Sequence, residues 1–447
     1  MSISPSPPGG LATFASRIHR LQNNVPLAEA IGKVVEATAS GYRIHGLSKF
    51  VRLGSLVKFH CSDRPVLAEV VRVEQETVLV RTFDNGSSIS LATQASPVGN
   101  LTIRPCPSWK GRMIDALGRP VDGGAELLQG QDSLSVDSAP PNAMVRKLVQ
   151  LPIRTGVRVI DIFTPLCKGQ RIGIFAGSGV GKSTLLSMLS SAAGFDTVIV
   201  ILVGERGREV REFAESTLGR EKHRLVSVVA TGDESPMMRR LAPRTGMRLA
   251  EYFRDRGENV LLIMDSVTRY AHACRDVALS AGEAPVARGF PPSIFSDLPQ
   301  LLERAGPGAE GTGYITGIFS VLVDGDDHND PIADAIRGTL DGHIVLSRNI
   351  AEQGRYPAVN LLSSISRLAQ LVWTPEQRKL VRMLLALIAR FEDSRDLRSM
   401  GGYQAGGDLE LDKALAVVPK LYQALAQTPE SPVSLDPFAE VAAQLSE

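Results

Sequence analysis

The chain has 447 residues, enough for two or three domains and a large core. With 43% hydrophobic and 22% charged residues it reads as an ordinary soluble globular protein, and a net charge of +1 gives no overall footprint for nucleic acid. The cysteines Cys61, Cys106, Cys167 and Cys274 are far apart, which argues against a disulfide framework or zinc site and for reduced, buried thiols.

The expected location is cytoplasmic. The N-terminus lacks a basic start followed by an apolar core, and the longest apolar stretch, 380–391, is cut by Arg382 and Arg390. Residues 1–10, rich in Pro, Ser and Gly, are expected to be disordered. Leu11, Phe14, Ile18 and Leu21 then follow helical spacing, with Arg17, His19 and Arg20 between them. Residues 1–24 therefore read as a flexible amphipathic arm, which either packs on its own domain or meets a partner or membrane surface.

From 31 to 91 the period changes to that of strands. Short β-type runs at 34–35, 42–44, 56–59, 67–73, 78–80 and 89–91 are separated by turn signals such as Ser40-Gly41 and Asp84-Asn85-Gly86. They predict a small β-barrel over 25–98. The stretch 110–124, with Asp115-Ala116-Leu117-Gly118-Arg119-Pro120, reads as a turn-rich bridge.

From about 150 to 350 the chain alternates strands and helices, which predicts an α/β domain over 99–367 with a largely parallel, helix-covered sheet. Strands are expected at 171–175, 197–203, 226–230, 260–264, 315–323 and 343–346, and a helix at 241–254. After Arg367 the pattern turns helical, giving a C-terminal helical domain over 368–447. Thr374-Pro375-Glu376-Gln377 is a capped helix start, followed by Leu380, Met383, Leu384, Leu387, Ile388 and Phe391 as one apolar face. A second helix, 411–425, is expected to break near Pro419, and the chain beyond Thr428 to be loosely ordered.

The chemistry centres on Ala176-Gly177-Ser178-Gly179-Val180-Gly181-Lys182-Ser183, set between the strand 171–175 and the helical run 185–189. Strand, glycine loop and helix in that order form a phosphate-binding loop. Glycines let backbone N–H groups turn toward phosphate oxygens. Lys182 adds charge, Ser183 offers a hydroxyl to Mg²⁺, and the helix start favours an anion. Gly177, Ser178, Gly179, Val180, Gly181, Lys182, Ser183 and Thr184 are the expected cradle for a nucleoside triphosphate. Ala176 departs from the strict pattern, which wants glycine first.

The apolar run 260–264 ends in Asp265, placed to hold Mg²⁺ through water. The strand 197–203 leads into Gly204-Glu205-Arg206. Glu205 can orient and polarise an attacking water, or can belong to a solvated charge run, since signs alternate from Glu205 to Glu212. Asp324, Asp326, Asp327 and Asp330 do not follow calcium-loop spacing and read as a polar loop.

Together with these, the segment Tyr356-Pro357-Ala358-Val359-Asn360-Leu361-Leu362-Ser363-Ser364-Ile365-Ser366-Arg367 resembles the signature of the rotary ATP synthase α and β subunits. The resemblance spans about residues 25–425. Its nearest branch is the type III secretion ATPases, on Ala176–Ser183, 204–213, 265–270, 289–293 and 323–328. Residues 231–235, 309–313 and 400–403 resemble flagellar export ATPases in particular.

The resemblance implies a RecA-like core and a homohexameric ring that couples Mg²⁺-dependent ATP hydrolysis to protein export. It makes Glu205 the general base, Arg206 its neighbour at the γ-phosphate, and Lys182 and Ser183 the phosphate and metal ligands, with Asp265 orienting the metal's water. Arg367 corresponds to an arginine finger reaching a neighbouring subunit, the alternative being a structural arginine paired within its own chain. Tyr356 corresponds to an aromatic that stacks on adenine, the alternative being a tyrosine packed before a proline.

The implied partners are identical copies, a regulatory stator-like protein at the N-terminal arm, a central stalk protein, export substrates with chaperones, and the membrane export gate. The implied location is cytoplasmic, peripheral to the inner membrane at the export apparatus. Two other readings share the motor: the catalytic subunit of a rotary proton or sodium ATP synthase, and a hexameric RNA translocase with a strand-binding barrel. Nucleic acid is not an expected partner, because Tyr42, Phe59 and Phe83 come without an obvious basic cluster.

Overall fold

The computed structural model describes residues 30–62, 64–86, 89–215, 221–323 and 330–446. The expectations for the arm at 1–24 and for Asp324, Asp326 and Asp327 lie outside these residues. Two compact units emerge, one reaching Asn100 and the other comprising Phe83–Asn85 with the chain from Leu101 onward.

The first unit is a closed barrel of β1 (Gly32–Thr38), β2 (Gly41–His45), β3 (Leu56–Phe59), β4 (Val66–Val73), β5 (Thr77–Thr82) and β6 (Gln94–Gly99). Its order is β1-β2-β5-β4-β3-β6, closed by antiparallel pairing of β6 with both β1 and β3. Alternation sends Val34, Ile44, Val57, Phe59, Val70, Val78 and Val80 inward, and closure leaves no free edge. The run 89–91 is not the sixth strand. Ile89 plugs the barrel core, and the chain then turns at 90–93, where Ala92 adopts φ 64°, before entering β6. The β6 sequence Gln-Ala-Ser-Pro-Val-Gly lacks the β-branched alternation that marks a strand.

The second unit is built on a nine-stranded sheet. Its main path uses β7 (Met113–Asp115), β8 (Arg171–Ala176), β9 (Thr197–Val203), β10 (Leu225–Ala230), β11 (Asn259–Asp265), β12 (Tyr314–Leu322), β13 (Gly342–Leu346) and β14 (Ile365–Ser366). The order is β14-β13-β8-β12-β11-β9-β10-β7, parallel apart from β14, with Gly306–Pro307 pairing antiparallel to β12. All residues of β9 and β10 are buried, as a sheet covered on both faces requires. The expected bridge at 110–124 contains the edge strand β7, whose Asp115 accepts the N–H groups of Leu117 and Arg119 and so closes the turn behind it.

Helices α1 (Lys182–Ser190), α2 (Gly207–Phe213), α3 (Pro236–Asp255) and α4 (Val267–Ser280) follow β8, β9, β10 and β11. The C-terminal region adds α5 (Pro375–Asp393), α6 (Leu409–Leu425) and α7 (Pro437–Ser446). The predicted capping box is present, Thr374 and Gln377 each accepting from the other's backbone N–H.

Three expectations for this region need correction. The buried face of α5 is Val381, Leu384 and Ile388, whereas Leu380 and Met383 are 39% and 54% exposed, because the stripe packed on α6 is centred on Val381. Helix α6 runs unbroken through Pro419. The chain beyond Thr428 forms α7, whose start is fixed by Glu440 accepting from Leu435 and Asp436 N–H, with Val441 buried in the common core. Only Cys167 and Cys274 are buried, while Cys61 and Cys106 are partly exposed, and all four are free thiols. Among the described residues no helix is long and apolar enough to cross a membrane.

Candidate active site

Ala176 is the last residue of β8. It is 1% exposed and paired to Leu322 on one side and Leu346 on the other. The first position of the motif is thus still strand core, and a small apolar side chain suits it. The loop then turns through Gly179 and Gly181 at φ 79° and 88°, a left-handed region where glycine carries no Cβ penalty. Gly181 caps α1, and a Cβ there would sit 3.2 Å from the Tyr356 ring. Lys182 and Ser183 therefore open a helix whose first N–H groups lack intrahelical partners and face the loop.

Two carboxylates meet Lys182. Asp265, the last residue of β11 and 5% exposed, accepts the Lys182 ammonium at Oδ1. Glu205, two residues beyond the end of β9 and 6% exposed, brings Oε1 to 4.0 Å from Lys182 Nζ. The adjacent strands β9 and β11 bring them together. A cavity of about 370 Å³ beside the loop is lined by Ser183, Thr184, Glu205 and Asp265 among others. Glu205 Oε1 is buried without a hydrogen-bond partner. Burial, and then the charge of Asp265, push the Glu205 carboxyl up to about 7, against the pull of Lys182 and Arg269.

The charge run divides at this point. Glu205 is buried, but Arg206, Arg208 and Arg211 are 83%, 86% and 82% exposed, and Arg208 and Arg211 pair along the helix with Glu212 and Glu215. Arg206 lies 3.7 Å from Glu209 and does not join the Lys182 cluster. Tyr356 is 42% exposed, with its ring against Gly181 and its carbonyl accepting from Gln427 N–H.

Arg367 lies elsewhere. Its backbone N–H donates to Asp341, which precedes β13 at the amino end of the sheet, and Asp341 also accepts from Arg171 N–H at the start of β8. Five residue steps of β8 separate that level from Ala176, about 17 Å at strand rise. The Arg367 guanidinium is exposed and has no partner among the described residues.

Two further residues reach the cluster. Arg269 on α4 donates to the Gly204 carbonyl, and its Nε lies 3.5 Å from Glu205. Its signal was its place four residues after Asp265, one turn into the next helix. Ser320 on β12 donates to Asp265 Oδ1 at 2.8 Å, and its signal was a hydroxyl inside an apolar strand.

The donors suit Mg²⁺. Ser183 and Asp265 offer hard oxygens, and among the described residues no cluster of three or more His, Cys, Asp or Glu forms a closed metal cage. Magnesium held mainly by substrate phosphates and water needs no such cage.

Residues 156–366 match the nucleotide-binding domain of the ATP synthase alpha/beta family, and 373–447 match the type III secretion EscN ATPase C-terminal domain. The flagellum-specific ATP synthase of Rhizobium meliloti (strain 1021) is 55% identical over 97% of this chain and 92% of its own length. The assembled ATPase EscN of the enteropathogenic E. coli type III secretion system superposes with a TM-score of 0.85, at 40% identity over 93% of this chain and 100% of that one. The same ATPase in complex with its central stalk EscO gives 0.84, at 38% identity over 93% of this chain and 99% of that one. With its phosphate loop, its paired carboxylates and these relatives over nearly its whole length, the chain belongs to the flagellum-specific and type III secretion ATPases of the ATP synthase α/β family.

Proposed function

We propose that the chain hydrolyses Mg²⁺-bound ATP at a site completed by a second copy, in a homohexameric ring that drives type III export of flagellar proteins. The observation that carries this reading is the separation of two groups on one chain. Glu205 and the phosphate loop stand at the carboxyl end of the sheet, and the unpaired Arg367 stands at its amino end, about 17 Å apart in level along the strand direction. Head-to-tail stacking brings the second face of one copy to the first face of the next, and closes as a ring.

In the free chain Lys182 is held by Asp265. The phosphates of ATP draw the ammonium into the loop, with the N–H groups of 177–184 as the remaining cradle. Ser183, and Asp265 through water, are the residues that would hold Mg²⁺, which would supply charge neutralisation at the phosphates. Glu205, poised near neutral pH, accepts the proton of the attacking water. Arg269 steadies Glu205, and Arg206, exposed beside Glu209 in the free chain, would turn inward to reach the γ-phosphate. Arg367 of the neighbouring copy stabilises the charge of the transferring group. Tyr356, beside Gly181, stacks on adenine.

A central stalk protein, a stator-like regulator on the N-terminal arm, export substrates with their chaperones, and a membrane export gate complete the assembly. It works in the cytoplasm at the inner membrane. An RNA-translocase role is disfavoured, because Tyr42 and Phe59 pack edge to face at 5.6 Å, with Phe59 in the barrel core, instead of presenting faces to bases. The test is ATPase rate per chain against protein concentration. The rate rises as copies assemble, and a rate independent of concentration over the assembly range would overturn the shared site.

A further inference from the structure

Strand β12 runs between the strand that carries the phosphate loop, β8, and the strand that delivers Asp265, β11. Seven of its nine residues are buried, and Ile315, Ile318, Phe319 and Val321 make it a core strand. Ser320 breaks that pattern. It is 0% exposed, and a hydroxyl buried there is unfavourable unless it is hydrogen-bonded.

Its bond goes to the active site. In register, Met264 of β11 faces Phe319 of β12, so Asp265 and Ser320 follow as the next neighbours. Ser320 Oγ donates to Asp265 Oδ1 at 2.8 Å, on the oxygen that also accepts Lys182. Ser227, on the fully buried β10, shows the contrast, since its hydroxyl has no partner among the described residues.

We propose that Ser320 is a positioning residue for Asp265. Two donors hold Oδ1 in the free chain, and one of them, Lys182, is the group that phosphates claim. Ser320 cannot leave, because it is fixed in the middle of the sheet. It fixes the rotation of the carboxylate when Lys182 departs, holding Oδ1 in place. This rests on the reading that Asp265 serves Mg²⁺.

The test is equilibrium binding of a fluorescent ADP analogue to the full chain, with Mg²⁺ and with EDTA, in wild type, Ser320→Ala, Ser320→Thr and Asp265→Asn. A hydrogen bond to a charged group predicts that Ser320→Ala loses roughly tenfold or more of the affinity gained from Mg²⁺, with EDTA binding unchanged. Ser320→Thr, which keeps the hydroxyl, retains that gain. The steady-state signature is a lower kcat and a higher Mg²⁺ requirement in Ser320→Ala. A metal-dependent gain within twofold of wild type, or an equal loss with and without metal, would overturn the proposal. Asp265→Asn separates the two layers. If it loses the metal-dependent gain while Ser320→Ala does not, only the role of Ser320 falls. If it keeps the gain, the metal reading of Asp265 falls.

Discussion

Replacing Glu205 by Gln should abolish hydrolysis and at the same time stabilise the nucleotide-free chain at alkaline pH. The carboxyl is 6% exposed, its Oε1 has no hydrogen-bond partner, and its pKa rises from 4.5 to about 7 through burial and the nearby Asp265. At 1.36 kcal/mol per pH unit, ionising it inside the fold costs roughly 3 kcal/mol. The sign follows from proton binding. Between pH 4.5 and 7 the native carboxyl holds a proton that the unfolded one has lost, so wild-type stability falls as pH rises through that window. The contribution is fully present below 4.5 and gone above 7. Glutamine carries no such proton.

Thermal unfolding of nucleotide-free wild type and Glu205→Gln from pH 5 to 8.5, with ATPase rates on the same samples, checks this. The two unfolding curves lie close at pH 5 and separate by roughly 2–3 kcal/mol by pH 8, the inactive variant being the more stable. An offset that does not change with pH, or a more stable wild type at pH 8, would refute the assignment of Glu205 as a buried, strained base.

Other consequences are as direct. The kcat/KM of the wild type should rise with pH through about 7, as Glu205 loses its proton in the free enzyme, and a flat profile from 6 to 8 would contradict its role as base. Gly181→Ala places a methyl group 3.2 Å from the Tyr356 ring at a backbone φ of 88°, so nucleotide affinity should fall at least roughly tenfold by equilibrium titration, while the fold survives. Arg304 is 4% exposed and binds Glu251 through two bonds of 2.8 and 3.0 Å; Arg304→Ala leaves that 1%-exposed carboxylate with Arg248 and should cost about 3 kcal/mol or more in urea unfolding.

The chemistry was more legible in the sequence than the edges of the fold. A phosphate loop and an acid at a strand end are local patterns, so Lys182, Ser183 and Asp265 stood out by spacing, and β8 to β11 followed from continuous apolar runs. Burial is a property of the whole fold. The alternating charges from Glu205 to Glu212 could not reveal that Glu205 is enclosed while Arg206 points outward.

Elements fixed by long-range pairing were also hidden. Strand β6 has weak propensity but is held by β1 and β3, and α7 follows a stretch rich in Pro and Ser but is anchored by Val441 in the shared core. Pro419 suggested a break, yet α6 is packed along α5 and continues through it. Ser320 and Arg269 reach the site from other elements, and only the sheet order brings them there.

The proposed sharing of each site between two copies is read out by mixing two inactive variants. Glu205→Gln keeps its finger and Arg367→Ala keeps its base. Co-assembled in equal amounts, they form intact sites wherever an Arg367→Ala chain meets the finger of a Glu205→Gln chain, about a quarter of all interfaces. ATPase activity, nearly absent in either variant alone, should return on mixing to about that fraction of wild type. A mixture no more active than its separate components, or an Arg367→Ala chain as active as wild type, would contradict it.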